Sequence, residues 1–141
     1  AEHNLKDCGV PFTILAGDAG NMTLPKVDVV ICNPPYFKVN THANLNESDY
    51  LRIARHECYL PFPLLCKQAA STLQEKGRFY LVHRADRIGE LMKELLQHRF
   101  GVRTLQFVYD QNKEEAITVL IEAIKDGGHH THVLPPIMLK R

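Results

Sequence analysis

VDVVICNPPY, residues 27–36, is the stretch on which the reading of the fold turns. An apolar run rich in β-branched residues stops abruptly at Asn33-Pro34-Pro35. A run of that kind, without the alternation of a half-exposed strand, reads as a buried strand of a parallel sheet. Upstream, FTILAG at residues 12–17 is a second such run, and it ends in Asp18. Downstream, residues 40–49 (NTHANLNESD) are polar and loop-like. Pro63 fits a first helical turn, where its missing N–H costs nothing. Phe62, Leu65, Cys66, Ala69, Ala70 and Leu73 then recur at helical spacing, with Gly77 as the expected stop. RFYLVH at 78–83 reads as the next strand. Asp86 is the expected N-cap of a second helix, which shows Ile88, Leu91, Met92, Leu95 and Leu96 on one face and ends at Gly101. Residues 102–109 and 115–124 read as two strands joined by the polar turn 110–114, an antiparallel hairpin. Residues 132–139 form a short extended tail.

Strands alternating with helices indicate an α/β sheet with parallel crossovers. In such sheets the reactive site lies beyond the carboxyl ends of the strands. That rule selects Asp18, residues 33–36, and His83 with Arg84.

The bulk numbers narrow the class. A chain of 141 residues holds one domain with a real core. The apolar fraction of 45% is ordinary for a globular protein. A net charge of +1 gives no global sign of nucleic-acid binding, so any basic footprint must be local. No apolar run reaches the length of a membrane span, and the polar start AEHNLKDCG shows no signal peptide. The four cysteines, Cys8, Cys32, Cys58 and Cys66, make no CxxC pair and read as free thiols in a reducing cytoplasm.

The chemistry lies in Asn33-Pro34-Pro35-Tyr36. An amino group conjugated to a ring or an amide is a poor nucleophile, because its lone pair is delocalised. A site that methylates it can set acceptors in the plane of the amino hydrogens. The nitrogen then moves toward tetrahedral geometry and turns its lone pair to the methyl donor. Asn33 offers a side-chain carbonyl. Pro34 offers a backbone carbonyl and has no N–H of its own. Two prolines in series stiffen the turn, which suits a transfer governed by alignment. Tyr36 adds a face on which a flat base can stack, worth about 1–3 kcal/mol. No strong general base is required, since the amine proton becomes acidic once the nitrogen is methylated. Taken alone, the same four residues also read as a strand-ending turn.

These residues resemble the Asn-Pro-Pro-Tyr amino-methyltransferases. DVVICNPPYFKV, ARHE at 54–57, GRFYLVHRADR at 77–87, EEAITVLIEAIKDG at 114–127 and VLPPIML at 133–139 look like the bacterial tRNA1(Val) adenine-N6 methyltransferase family. The resemblance covers nearly the whole chain. It implies a Rossmann-like, S-adenosylmethionine-dependent methyltransferase fold, of which this chain would hold the C-terminal portion, strands three to seven with a closing antiparallel hairpin. The implied cofactor is S-adenosyl-L-methionine, and the implied partner is tRNA. Asn33, Pro34 and Tyr36 would be catalytic. Asp18, Ala19 and Asn33 would hold the donor. Pro35, Phe37, Lys38, Arg55, His56 and Arg84 would meet the substrate. That family opens with a strand and a glycine-rich turn for the donor's methionine part, then a second strand ending in an acidic residue. Neither is present in these 141 residues. Residues 1–141 are therefore expected to be one partial domain without strands one and two. Such a chain would bind the donor weakly, and would self-associate through an exposed strand edge or pair with an N-terminal half.

Other features are weaker. Lys38, Arg52, Arg55, His56, Arg84 and Arg87 could line a phosphate-contacting surface, or be ordinary solvated charge. His56-Glu57 and His83-Arg84 have no nucleophile in register. His129, His130 and His132 repeat no zinc spacing and read as an exposed turn. Lys113-Glu114-Glu115 reads as a charged turn. Two other functions share the central motif, methylation of glutamine N5 in protein and of guanine N2 in rRNA. A third possibility, of another class, is an inactive remnant that only binds a partner.

Overall fold

The computed structural model describes residues 24–33 and 61–140. The first strand, β1 (Val27–Cys32), is followed by helix α1 (Phe62–Thr72), strand β2 (Leu73–Arg84), a single 3-10 turn (Ala85–Arg87) and helix α2 (Ile88–Gln97). Strands β3 (Phe100–Asp110) and β4 (Ala116–Lys125) come next, and the tail adds β5 (His132–Val133) and β6 (Ile137–Leu139). They form one sheet in the order β1-β2-β4-β3-β5, with β6 also on β3. β1 and β2 run parallel, as the crossover through α1 requires. β4 is antiparallel to both its neighbours, so the expected hairpin is present.

One face of this sheet makes the core. Phe79 and Leu81 of β2, Val119, Ile121 and Ala123 of β4, and Phe100, Val102 and Leu105 of β3 pack against Phe62, Leu65, Cys66 and Ala69 of α1 and Leu91 and Leu95 of α2. Phe79 and Phe100 touch at a ring separation of 5.4 Å. The sequence marks these residues through period two in the strands and period 3.6 in the helices. Leu96, expected on the same helical face, is instead half exposed.

Four expectations need correction. β1 is not buried on both faces: Val30 and Cys32 turn toward the core, while Val29 is 46% and Ile31 77% exposed. Gly77 does not stop α1. The helix ends at Thr72, where Leu73 turns extended and its N–H bonds to Ala69. Gly77 instead lies inside β2, at a bulge where Val27 pairs with Leu73 but Val29 pairs with Arg78. Lys76 takes a positive φ of 61° there, and a side chain at 77 would meet the Gln74 carbonyl at 2.8 Å and that of Asp28 at 3.1 Å. Asp86 caps no helix; α2 has no side-chain cap, and the Asp86 carboxylate pairs with Arg84. Gly101 lies in β3, beyond the helix end, where Arg99 carries the left-handed φ of 68°.

The tail is more than an extended end. Thr104 and Leu105 pair with His132 and Val133, and residues 108–110 pair with 137–139, both parallel to β3. Leu134 N–H donates to the Leu105 carbonyl at 2.9 Å and the Thr131 hydroxyl to the Val102 carbonyl at 2.7 Å.

Candidate active site

The register fixes which groups share one end of the sheet. Cys32 stands opposite Leu81, so Asn33 leaves β1 at the level of Val82 in β2. β2 runs on through His83 to Arg84, which faces Thr118 near the start of β4. The β3–β4 turn therefore belongs to this same end. Asn33 is exposed there. That is the position from which an amide side chain can face a bound molecule, and it fits a donor or acceptor held beyond the strand ends.

His83 is half-buried, with its ring edge-on to Phe62 at 5.7 Å. Its Nδ1 accepts the Arg84 backbone N–H at 2.8 Å. Burial, helped by the Arg87 charge, pushes its pKa below 6.5 and offsets the weaker pull of Glu90. With Nδ1 accepting, the neutral ring carries its proton on Nε2. Arg84 is ion-paired with Asp86, and Arg87 with Glu90. Both guanidiniums are about half exposed, so these pairs hold side chains in place more than they stabilise the fold.

Next to Arg84 an open cleft of about 490 Å³ lies between the end of β2 and the β3–β4 turn. Asp86, Asn112, Lys113, Glu114 and Glu115 complete its polar wall. The turn is held by Asp110, which is buried. Its carboxylate accepts the Asn112 N–H at 3.0 Å and its carbonyl accepts the Lys113 N–H at 2.9 Å. In sequence this segment reads as a charged turn; only the pairing of β4 with β2 brings it to the carboxyl end of β2.

Of the expected site residues, the structure describes Asn33 and Arg84, and it brings both to one end of the sheet. Asp18, Ala19, Pro34, Pro35, Tyr36, Phe37, Lys38, Arg55 and His56 lie outside the described residues, as do the strand expected at 12–17, the loop at 40–49, Arg52, Cys8 and Cys58. Cys32 and Cys66 are free thiols. Burial, with the charge of Glu94 and the neighbouring Cys32, pushes Cys66 up to about 12, which makes it an inert core group. His130 and His132 stack edge to face at 4.9 Å, but no metal-holding group of side chains occurs among the described residues. No helix among them is long and apolar enough to cross a membrane.

The sheet order, with β4 inserted antiparallel between the earlier β2 and β3, is that of the class I S-adenosylmethionine-dependent methyltransferases. A predicted O-methyltransferase of Agrobacterium tumefaciens superposes with a TM-score of 0.56 at 19% identity, over 81% of this chain and 44% of that one. A protein of Listeria monocytogenes described as a class I S-adenosylmethionine-dependent methyltransferase gives 0.50 at 14% identity, over 86% and 39%. In sequence the chain is a homologue of the tRNA1(Val) (adenine(37)-N6)-methyltransferase of Aliivibrio salmonicida, 30% identical over 95 residues. That match covers 67% of this chain and 39% of the relative, so the chain spans about two fifths of the protein it matches. No family model matches.

Proposed function

We propose that this protein methylates N6 of an adenine in tRNA, with S-adenosylmethionine as donor. The observation that carries the reading is Asn33: exposed, at the carboxyl end of β1, two residues short of the end of β2, in a methyltransferase fold. When bound, S-adenosylmethionine supplies an electrophilic methyl group. Asp18, Ala19 and Asn33 would hold it. The Asn33 side-chain carbonyl and the Pro34 backbone carbonyl accept the two amino hydrogens of the target. Held by these two acceptors, the nitrogen would turn its lone pair out of the amino plane toward the donor's side of the site, and the proton it sheds on methylation would leave to solvent. Tyr36 supplies the stacking face for a base drawn out of its helix. Arg84 lies at the strand end where the substrate enters.

The test is Asn33→Ala in the full protein, with tRNA and labelled donor. The carbonyl acts on a nitrogen that changes geometry in the transition state, so turnover should fall about 100-fold while KM for tRNA changes little. Near-native turnover would refute the assigned chemistry. A panel adding a glutamine-bearing protein and guanine-containing rRNA separates the N6 reading from its two relatives in chemistry.

A further inference from the structure

We infer that the outer edge of the sheet, where the tail lies on β3, holds the phosphate backbone of the RNA substrate, with Arg103 as its anchoring cation. This rests on the RNA reading above and deepens it. Three observations carry it.

The first is Arg103 itself. In the β3–β4 ladder Val102 pairs with Ala123 and Thr104 with Glu122, so Arg103 is the extra residue of a bulge. A bulge takes one side chain out of the alternation of its strand and re-aims it. Arg103 is exposed there. Arg78, Arg84, Arg87 and Arg99 are each ion-paired to a carboxylate. Among the arginines of the described residues, Arg103 alone has no such partner. Phosphate contacts are made by cations of this kind, whose donors are still free for a ligand.

The second is the charge around it. Residues 127–141, GGHHTHVLPPIMLKR, contain no Asp or Glu and carry three histidines, Lys140 and Arg141. Thr104 pairs with His132, so the tail brings this acid-free run alongside the bulge. The one acid of β3, Asp110, is buried and holds the β3–β4 turn. Glu122 and Asp126, in and just after β4, are each matched by a cation of their own, Arg78 and Arg99. His130 and His132 are exposed and lie edge to face at 4.9 Å, where their ring N–H groups can add to those of Arg103. The net charge of +1 hides this edge, because cations and carboxylates cancel over the chain but not here.

The third is place. The level of Asn33 runs across the sheet through Val82, Leu120 and Gln106. Arg103 stands three residues back from Gln106, about 10 Å, and three strand spacings from β1, about 14 Å. The two residues are thus about 17 Å apart along the sheet. Phosphates of one strand of a nucleic-acid helix advance about 3.4 Å each, so that span covers about five nucleotides. The edge suits the body of a structured RNA whose target base is at Asn33.

The experiment measures binding of tRNA to the full protein by fluorescence anisotropy across a salt series. The variants are Arg103→Gln, Lys140→Gln, their double, Arg103→Lys, and Lys67→Gln, which removes an exposed cation of α1 away from this edge. The double variant should bind about tenfold more weakly, and its log affinity should fall less steeply with log salt, by about 2 in slope. Arg103→Lys keeps the charge and should keep the slope. Lys67→Gln should behave as the unmodified protein. An unchanged slope in the double variant overturns the assignment, whether or not affinity falls. An equal flattening by Lys67→Gln also overturns it, by making the effect one of overall charge. Both leave RNA methylation standing. If the unmodified protein neither binds nor methylates tRNA but methylates a glutamine-bearing protein, the RNA reading itself fails, and this assignment with it.

Discussion

At Gly101 a single hydrogen atom decides whether β3 can lie against the end of the hairpin. A methyl group there would sit 2.2 Å from the Gly128 carbonyl oxygen and 2.6 Å from the Gly127 backbone, and neither neighbour is a side chain that can swing away. Gly89, in the first turn of α2, is the opposite case, with nothing within 4 Å of an added carbon. Gly101→Ala should therefore destabilise the fold by about 1–3 kcal/mol, as overpacking does. Gly89→Ala should stabilise it by about 0.4–1 kcal/mol by restricting the unfolded chain. Urea unfolding of both variants checks the pair, and a Gly101→Ala protein of native stability would show that the two backbones can part without cost. The two glycines are equal as letters; only the approach of residues 127 and 128 tells them apart.

Among the elements, the β2–β4–β3 ladder carries one polar device on the face away from the core. The Glu122 carboxylate accepts the Tyr80 hydroxyl, the Arg78 guanidinium and the Thr104 hydroxyl, each at 2.8 Å, and so bridges all three strands. The Tyr80 hydrogen bond first, then those of Thr104 and Arg78, hold its pKa below the ordinary 4.5 against the opposing effect of burial. A carboxylate with a depressed folded pKa adds stability that is complete above its unfolded value and is lost as pH falls through the folded one. Stability should thus drop on acidification below 4.5, and Glu122→Gln should lower it at neutral pH yet converge with the parent in acid. Urea midpoints across that range test the sign; a constant gap between the two proteins would assign the acid loss elsewhere. The ladder also marks how far sequence reading reaches. Apolar periodicity located β1, both helices and the β3–β4 hairpin, because each depends on spacing within one segment. It missed the bulge at 75–77, where glycine looked like a helix stop, and the pairing of the tail, because Pro135-Pro136 interrupts the strand signal between two very short strands. Asn33 was legible as a strand-end position because it follows directly on an apolar run. The cleft turn was not, since charge on a loop looks the same whether it faces bulk water or another strand end.

For the molecule as a whole, the tail closes the outer side of β3. Removing residues 131–141 would strip β5 and β6, uncover Val108 and Leu105, which are 8% and 9% exposed, and free Gln111 from Leu139. The expected loss is about 2–3 kcal/mol, the scale of exposing one large apolar side chain. A truncated protein with an unchanged urea midpoint would mean that the tail only lies against a strand that is stable without it. The sheet order has a further consequence, in time rather than energy. β4 lies between β2 and β3 but is made after both, so β3 has no place beside β2 until its own successor has been synthesised. Roughly forty residues separate the end of β2 from the end of β4. At about 5–20 residues per second the ribosome needs about 2–8 s to make them. Through that interval the nascent chain presents an unpaired edge of β2, open to strands of other chains, and a chaperone that shields one β-strand for a few seconds would have its client here.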